Sequence, residues 1–187
     1  RKRYQRAARQ EITPSDSIPE VMEKFLGRIN QASTQALTTI DPLQLEAAVE
    51  ALLAAQKIVL FGNGGSAYLA ASTSLKLLKL GLNAISYLDL NGIQAAVLSL
   101  KEGDAALAIS HTGTTSETLE SLALAAGTGC TTIACTSSAR SPLAKLSQIP
   151  LVYGPVQQES EIGLARVIQA LTLDLLATAV ALRIKMT

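Results

Sequence analysis

The sequence predicts an α/β domain, a doubly wound, five-stranded parallel sheet flanked by helices. Two observations carry that expectation. From residue 57 onward, short apolar runs without polar alternation recur between stretches of helical periodicity, the pattern of parallel strands covered on both faces. Two of those runs, Lys57-Ile58-Val59-Leu60-Phe61 and Ala105-Ala106-Leu107-Ala108-Ile109, give way to glycine- and hydroxyl-rich loops and then to a new helical pattern. That is the strand–loop–helix unit from which such sheets are wound.

Residues 1–16 read as a basic linker. Arg1, Lys2, Arg3, Arg6 and Arg9 place five positive charges in the first nine residues, and Ile12-Thr13-Pro14-Ser15-Asp16 is a break. Ser17-Ile18-Pro19-Glu20 has the form of a capping box. Ile18, Val21, Met22, Phe25, Leu26, Ile29 and Leu37 then fall mainly three and four apart, an amphipathic helix of about twenty residues. Asp41-Pro42 starts a second helix, cap then proline, with Leu45, Val49, Leu52 and Leu53 as its buried face. Strands are expected at 57–61, 84–88, 105–109, 131–135 and 150–153, and helices at 67–80, 92–100, 116–126, 141–146 and 160–184.

The last helix is apolar nearly all round, through Leu164, Val167, Ile168, Leu171, Leu173, Leu175, Leu176, Val180 and Leu182. A domain of this size is too small to bury such a helix completely. A homodimer or higher homo-oligomer, covering this helix and the first long one, is therefore expected.

Composition narrows the classes. At 187 residues and 48% hydrophobic, without tryptophan, the chain is one domain with an aliphatic core. Beyond the first nine residues, 11 basic side chains face 15 acidic ones, so the lead-in looks like a junction to another domain. It lacks the apolar core of a signal peptide. The longest apolar stretch, 170–182, is interrupted by Asp174 and is too short to span a bilayer. Cys130 and Cys135 form neither a disulfide framework nor a zinc site and read as small core residues. A cytoplasmic protein without metal or cofactor is expected.

The chemistry sits in the two loops, Gly62-Asn63-Gly64-Gly65-Ser66 and Ser110-His111-Thr112-Gly113-Thr114-Thr115. Glycine lets backbone approach a ligand, and the first N–H groups of a following helix favour an anion. Ser110, Thr112, Thr114, Thr115, Ser116 and Thr118 place six hydroxyls within nine residues, more than capping requires. Two such loops point to one phosphate, or one phosphorylated sugar, held from two sides. His111, the only histidine, falls inside the second loop, where a backbone N–H contact fits better than acid–base chemistry. Glu159, Glu161 and Arg166, around the start of the last helix, are either dipole partners or groups reaching toward the sugar. Gly62-x-Gly64-x-x-Ala67 also satisfies a dinucleotide fingerprint, with Asp89 near the place of a ribose-binding acid. That reading leaves the second loop without a role.

Together these residues resemble the sugar isomerase (SIS) domain, with its G-x-G-x-S and S-x-[ST]-G-x-[ST] loops. The resemblance implies phosphosugar-binding roles for Ser66, Ser110, Thr112 and Thr115, backbone contacts from Gly65, His111 and Gly113, and an approach of Asn63 to the sugar hydroxyls. Over residues 17 to 184 the chain looks most like the effector domain of RpiR/MurR-type bacterial transcriptional regulators. The helical lead-in, the Ser110-His111-Thr112-Gly113 wording, Thr136 followed by Ser141-Pro142-Leu143-Ala144, and the Arg166, Gln169, Asp174 spacing carry that likeness. It implies a non-catalytic sensor of a sugar phosphate in residues 17–187, with DNA bound through a helix-turn-helix domain joined at residues 1–16. The first loop also resembles phosphoheptose isomerases. In that alternative, aldose–ketose isomerisation needs a general base, for which Glu159 and Glu161 are the candidates.

Overall fold

The protein is described by a computed structural model over residues 11–156 and 163–186. Helices α1 (Ile18–Thr39) and α2 (Pro42–Ala54) precede β1 (Ile58–Gly62), α3 (Gly65–Lys79), β2 (Ala84–Ser86), α4 (Leu90–Leu98) and β3 (Ala105–Ile109). Then follow α5 (Ser116–Gly127), β4 (Thr131–Thr136), α6 (Pro142–Leu146), β5 (Ile149–Val152) and α7 (Leu164–Ile184). All strand pairs are parallel, in the order β2-β1-β3-β4-β5. The expected five-stranded, doubly wound sheet is the one observed, and its order reverses between β1 and β3. Ligands of such sheets bind at that switch point.

Strand alternation divides the apolar runs between two cores. Ile58 and Leu60 of β1, with Ala105, Leu107 and Ile109 of β3, face the layer that holds α2, α3 and α7. Val59 and Phe61, with Ala106 and Ala108, face α4, α5 and α6. Both sets are apolar because both faces are covered, which is why no polar alternation is visible in the sequence. The cysteines are core residues as expected, Cys130 and Cys135 both being buried.

The helix starts follow their caps. Glu20 Oε2 accepts from the Ser17 backbone N–H at 2.8 Å and from its hydroxyl at 2.6 Å. Asp41 Oδ1 accepts from the Leu43 N–H at 2.9 Å, with Pro42 in the first turn. Three elements depart from expectation, the first being α4, which runs over Leu90–Leu98 instead of 92–100 because Asp89 caps it. The second strand stops at Ser86 instead of running to Leu88, because it is an edge strand: Leu88 is exposed, and Asp89 turns away to cap α4 through Gly92 N–H at 2.7 Å. Asp89 thus serves as a helix cap. Helix α3 begins at Gly65, two residues early, because Gly64 at φ +55° makes the turn. The apolar side of α1 is exposed in one chain, through Ile18, Met22, Phe25, Leu26 and Leu37, in line with the expectation that another copy covers this helix.

Helix α7 also exceeds its expectation. The stretch 170–182 lies inside a 21-residue helix that is long and apolar enough to cross a membrane by length and composition. One side of it packs in the core, where Ile168, Leu173, Leu176 and Val180 are buried among the sheet and the neighbouring helices. On its outer side Asp174 pairs with Lys76, and Arg183 with Glu46 and Glu50. Val167 and Leu182 remain exposed.

Candidate functional site

The switch point brings both loops together. Gly62 is the register partner of Ile109, so the β1–α3 and β3–α5 loops leave the sheet one strand spacing apart, about 4.8 Å. Glycine at 62 is required by this approach: a Cβ would meet the Ile109 carbonyl at 2.6 Å and Ser66 Cβ at 2.8 Å.

Helices α3 and α5 both start at this point, and neither has an N-cap side chain closing its first turn. Asp41, Asp89 and Ser141 do close α2, α4 and α6. Both helices thus aim a dipole end at whatever lies between the loops, although in α3 the Ser66 and Ala67 N–H groups already donate to the Asn63 and Gly64 carbonyls.

The second loop is held in shape by its neighbours. Ser110 Oγ accepts from the Gly113 N–H at 3.1 Å and lies 3.1 Å from Thr115 Oγ1. Thr112 Oγ1 accepts from the Thr114 hydroxyl at 2.9 Å. The His111 carbonyl accepts three bonds, from Ser137 N–H at 3.0 Å, Ser137 Oγ at 2.7 Å and Thr136 Oγ1 at 3.2 Å. The Gly113 carbonyl accepts from Leu143 N–H at 3.1 Å. Gly113 itself sits at φ +64°, and a Cβ there would meet Ser141 and, at 2.9 Å, Thr136 Oγ1. Such a loop changes shape little when a ligand arrives, so little ordering entropy opposes binding.

Around this cradle the other candidate residues take distinct places. Ser66, in the first turn of α3, donates to Gln169 Oε1 at 3.2 Å and receives Arg166 Nη1 at 3.4 Å. The Arg166 guanidinium covers Gly65 so closely that a Cβ would collide with it. Asn63, exposed at the loop tip, lies near the Glu117 carboxylate and helps to lower its pKa. His111 Nδ1 lies 2.8 Å from the Tyr153 hydroxyl, with the rings stacked at 5.9 Å. Thr136 is fully buried, so it buttresses the loop from behind. Glu159 and Glu161 lie outside the described residues.

Tyr153, Gln169 and Ser137 join the site without having been singled out for it. Gln169 had a signal, its spacing from Arg166 on one helix face. Tyr153 and Ser137 had none, since a strand-end tyrosine and one serine among several carry no pattern. Burial pushes the Tyr153 hydroxyl pKa up and the nearby Arg166 charge partly opposes this, so the phenol stays protonated. Among the described residues no cluster of histidine, cysteine or carboxylate could hold a metal ion.

The SIS domain family model matches residues 51–183. An HTH-type transcriptional regulator of Caldanaerobacter subterraneus is 31% identical over 172 residues, covering 91% of this chain and 61% of the relative. Another from Haemophilus influenzae is 33% identical over 175 residues, covering 89% of this chain and 58% of the relative. The chain thus spans about three fifths of these relatives' length. Among solved structures, the sugar isomerase domain of an RpiR transcription factor from Sphaerobacter thermophilus superposes with a TM-score of 0.78 at 26% identity, covering 90% of this chain and 92% of that one. The Vibrio vulnificus NanR protein complexed with ManNAc-6P shares the fold at 23% identity, with a TM-score of 0.75, covering 83% of this chain and 61% of that one. With its two loops at the switch point and the match over 51–183, this chain belongs to the SIS domain family.

Proposed function

We infer that this SIS domain is the sugar-phosphate-sensing, non-catalytic effector part of a bacterial transcriptional regulator of carbohydrate metabolism. The observation that carries the reading is the pair of helices, α3 and α5, whose uncapped N-termini meet beside a pre-shaped hydroxyl loop. That arrangement suits a compact dianion better than an extended dinucleotide. Ser110, Thr112 and Thr115 hydroxyls, with the backbone of His111 and Gly113, hold the phosphate. Gly65, Ser66 and Asn63 face the sugar, and Arg166 adds a positive charge beside Ser66. The regulator likeness of the relatives and the ManNAc-6P bound by NanR support this reading.

In the same reading, two cytoplasmic copies pair through the exposed apolar side of α1 and the end of α7, and residues 1–16 lead to a DNA-binding domain. The ligand acts by favouring one arrangement of the pair, since a ligand with equal affinity for both shifts nothing. The test is incubation with a panel of sugar phosphates, with calorimetry for binding and chromatography for conversion. Binding of a sugar phosphate well above that of the free sugar, without product, is the expected result. Steady conversion of any member would make the protein an isomerase, and equal binding of sugar and sugar phosphate would remove the phosphate cradle.

A further inference from the structure

Beside the first loop, on the sheet face that carries α4 and α5, lies a cavity of about 220 Å³. Judged against the roughly 30 Å³ that a water occupies in the liquid, it has room for a substituent of several heavy atoms. It adjoins the first loop, since Gly62 and Asn63 line it, and Glu117, also in its lining, stands two residues beyond Thr115 of the second.

The lining is of two kinds. Phe61, Leu88, Leu90 and Ile93 form an apolar wall, while Glu117 and Thr118 bring polar atoms from the first turn of α5. Glu117 accepts from its own backbone N–H and from the Ser116 and Asn63 side chains, which together lower its carboxyl pKa below the ordinary glutamate value. It is therefore an acceptor that repels another carboxylate. Thr118 is 2% exposed, and its Oγ1 has no hydrogen-bond partner among the described residues. A buried hydroxyl left unpaired costs stability, and valine has nearly the same shape without that cost. Threonine is thus unfavourable here unless something in the cavity meets its hydroxyl.

The geometry points to a second subsite in this cavity, which takes an uncharged substituent of the phosphosugar with an apolar end and an N–H or O–H donor. This rests on the phosphosugar reading above and adds the part of the ligand that the cradle does not hold. An acylamino group is the simplest substituent that satisfies every wall. Its methyl packs on Leu90 and Ile93, its N–H donates to Glu117, and its carbonyl accepts from Thr118 Oγ1. A bare hydroxyl at the same carbon leaves the apolar wall wet and Thr118 unpaired.

Two matched pairs of probes test this on the full 187-residue chain: N-acetylglucosamine 6-phosphate against glucose 6-phosphate, and N-acetylmannosamine 6-phosphate against mannose 6-phosphate. Inorganic phosphate reports the cradle alone. In at least one pair the acylamino sugar is expected to bind about ten-fold tighter. Leu90→Trp, which fills the cavity, abolishes that preference and leaves inorganic phosphate binding unchanged. Thr118→Val reduces the preference several-fold without lowering the melting temperature, a combination that a purely structural role for the hydroxyl would not produce. Equal affinities within both pairs, or a preference that survives both variants, overturns the subsite while the cradle stands. Failure of every phosphate compound, inorganic phosphate included, overturns the cradle and the subsite with it.

Discussion

Nδ1 of His111 lies 2.8 Å from the hydroxyl of Tyr153, a side chain only 1% exposed, and so the histidine of the second loop is tied to the end of the fifth strand. Because burial keeps the phenol protonated, the Tyr153 O–H is able to donate to a neutral imidazole. In that arrangement Nε2 carries the ring proton; in the other tautomer Nδ1–H donates to the phenol oxygen instead. Tyr153→Phe removes the bond without changing the ring. It is expected to lower unfolding free energy by about 1 kcal/mol, and to weaken phosphosugar binding only a few-fold, since the backbone of the loop is held separately by Ser137 and Leu143. Denaturant unfolding checks the first value and calorimetry the second. An unchanged stability would mean that the bond does not help to hold the loop.

The cradle hydroxyls have a different expected signature. Ser110→Ala and Thr115→Ala each remove one member of the 3.1 Å pair, and each is expected to weaken sugar-phosphate binding by about 1–3 kcal/mol, the range for hydrogen bonds to a charged group. Binding of the unphosphorylated sugar is expected to stay as weak as in the wild type. Calorimetric losses of the same size for sugar and sugar phosphate would place these hydroxyls away from the phosphate.

Much of this site was legible because the loops announce themselves. Gly62, Gly64 and Gly113 mark positions where backbone must approach or turn, and the run of hydroxyls from Ser110 to Thr118 exceeds what helix capping uses. The parallel sheet was legible for the same kind of reason, since Val59 and Leu60 are both apolar only if both faces are covered. What stayed hidden depends on long-range partners. Nothing in the local sequence links Ser66 to Gln169, 103 positions later, or His111 to Tyr153.

Arg166 and Gly65 form a pair whose dependence can be measured. The guanidinium occupies the space that a Cβ at residue 65 would need, so Gly65→Ala is expected to displace Arg166 from Ser66. The guanidinium is the far end of a flexible side chain and can swing aside. A small loss of about 0.5–1 kcal/mol is expected, the worth of its hydrogen bond to Ser66, and in an Arg166→Ala background the same change costs nothing further. The double-mutant cycle therefore yields a coupling of roughly the size of the single loss. Additive effects would show that Gly65 is constrained by something other than Arg166.

The exposed side of α1 leads to an expectation about assembly. Met22 and Phe25 are 66% and 39% exposed, and Val167 of α7 is 38% exposed. Patches of this kind commonly mark an interface. Sedimentation at micromolar concentration is expected to give a dimer, and Met22→Glu with Phe25→Glu to give a folded monomer, because neither side chain belongs to the buried core. A wild-type monomer would remove α1 as an assembly surface.

Alkaline stability tests the burial of Cys135. Its thiol lies in β4 with no solvent exposure, and burial pushes its pKa from 9.0 up to about 12. The folded value is above the unfolded one, so the contribution is fully present below pH 9 and is lost as pH rises toward 12. Between those values the unfolded chain holds a thiolate while the folded chain still holds a thiol. Each such group steepens the fall in unfolding free energy by about 1.4 kcal/mol per pH unit. Cys130 and Tyr153, also raised by burial, add to the same fall, so the test is a difference in slope. Urea unfolding at pH 8, 9, 10 and 11 is expected to show a shallower decline for Cys135→Ser than for the wild type above pH 9. Below pH 8 the two curves run parallel, offset only by the cost of burying the new hydroxyl. Parallel curves across the whole range would mean that the strand opens to solvent and the thiol titrates without unfolding.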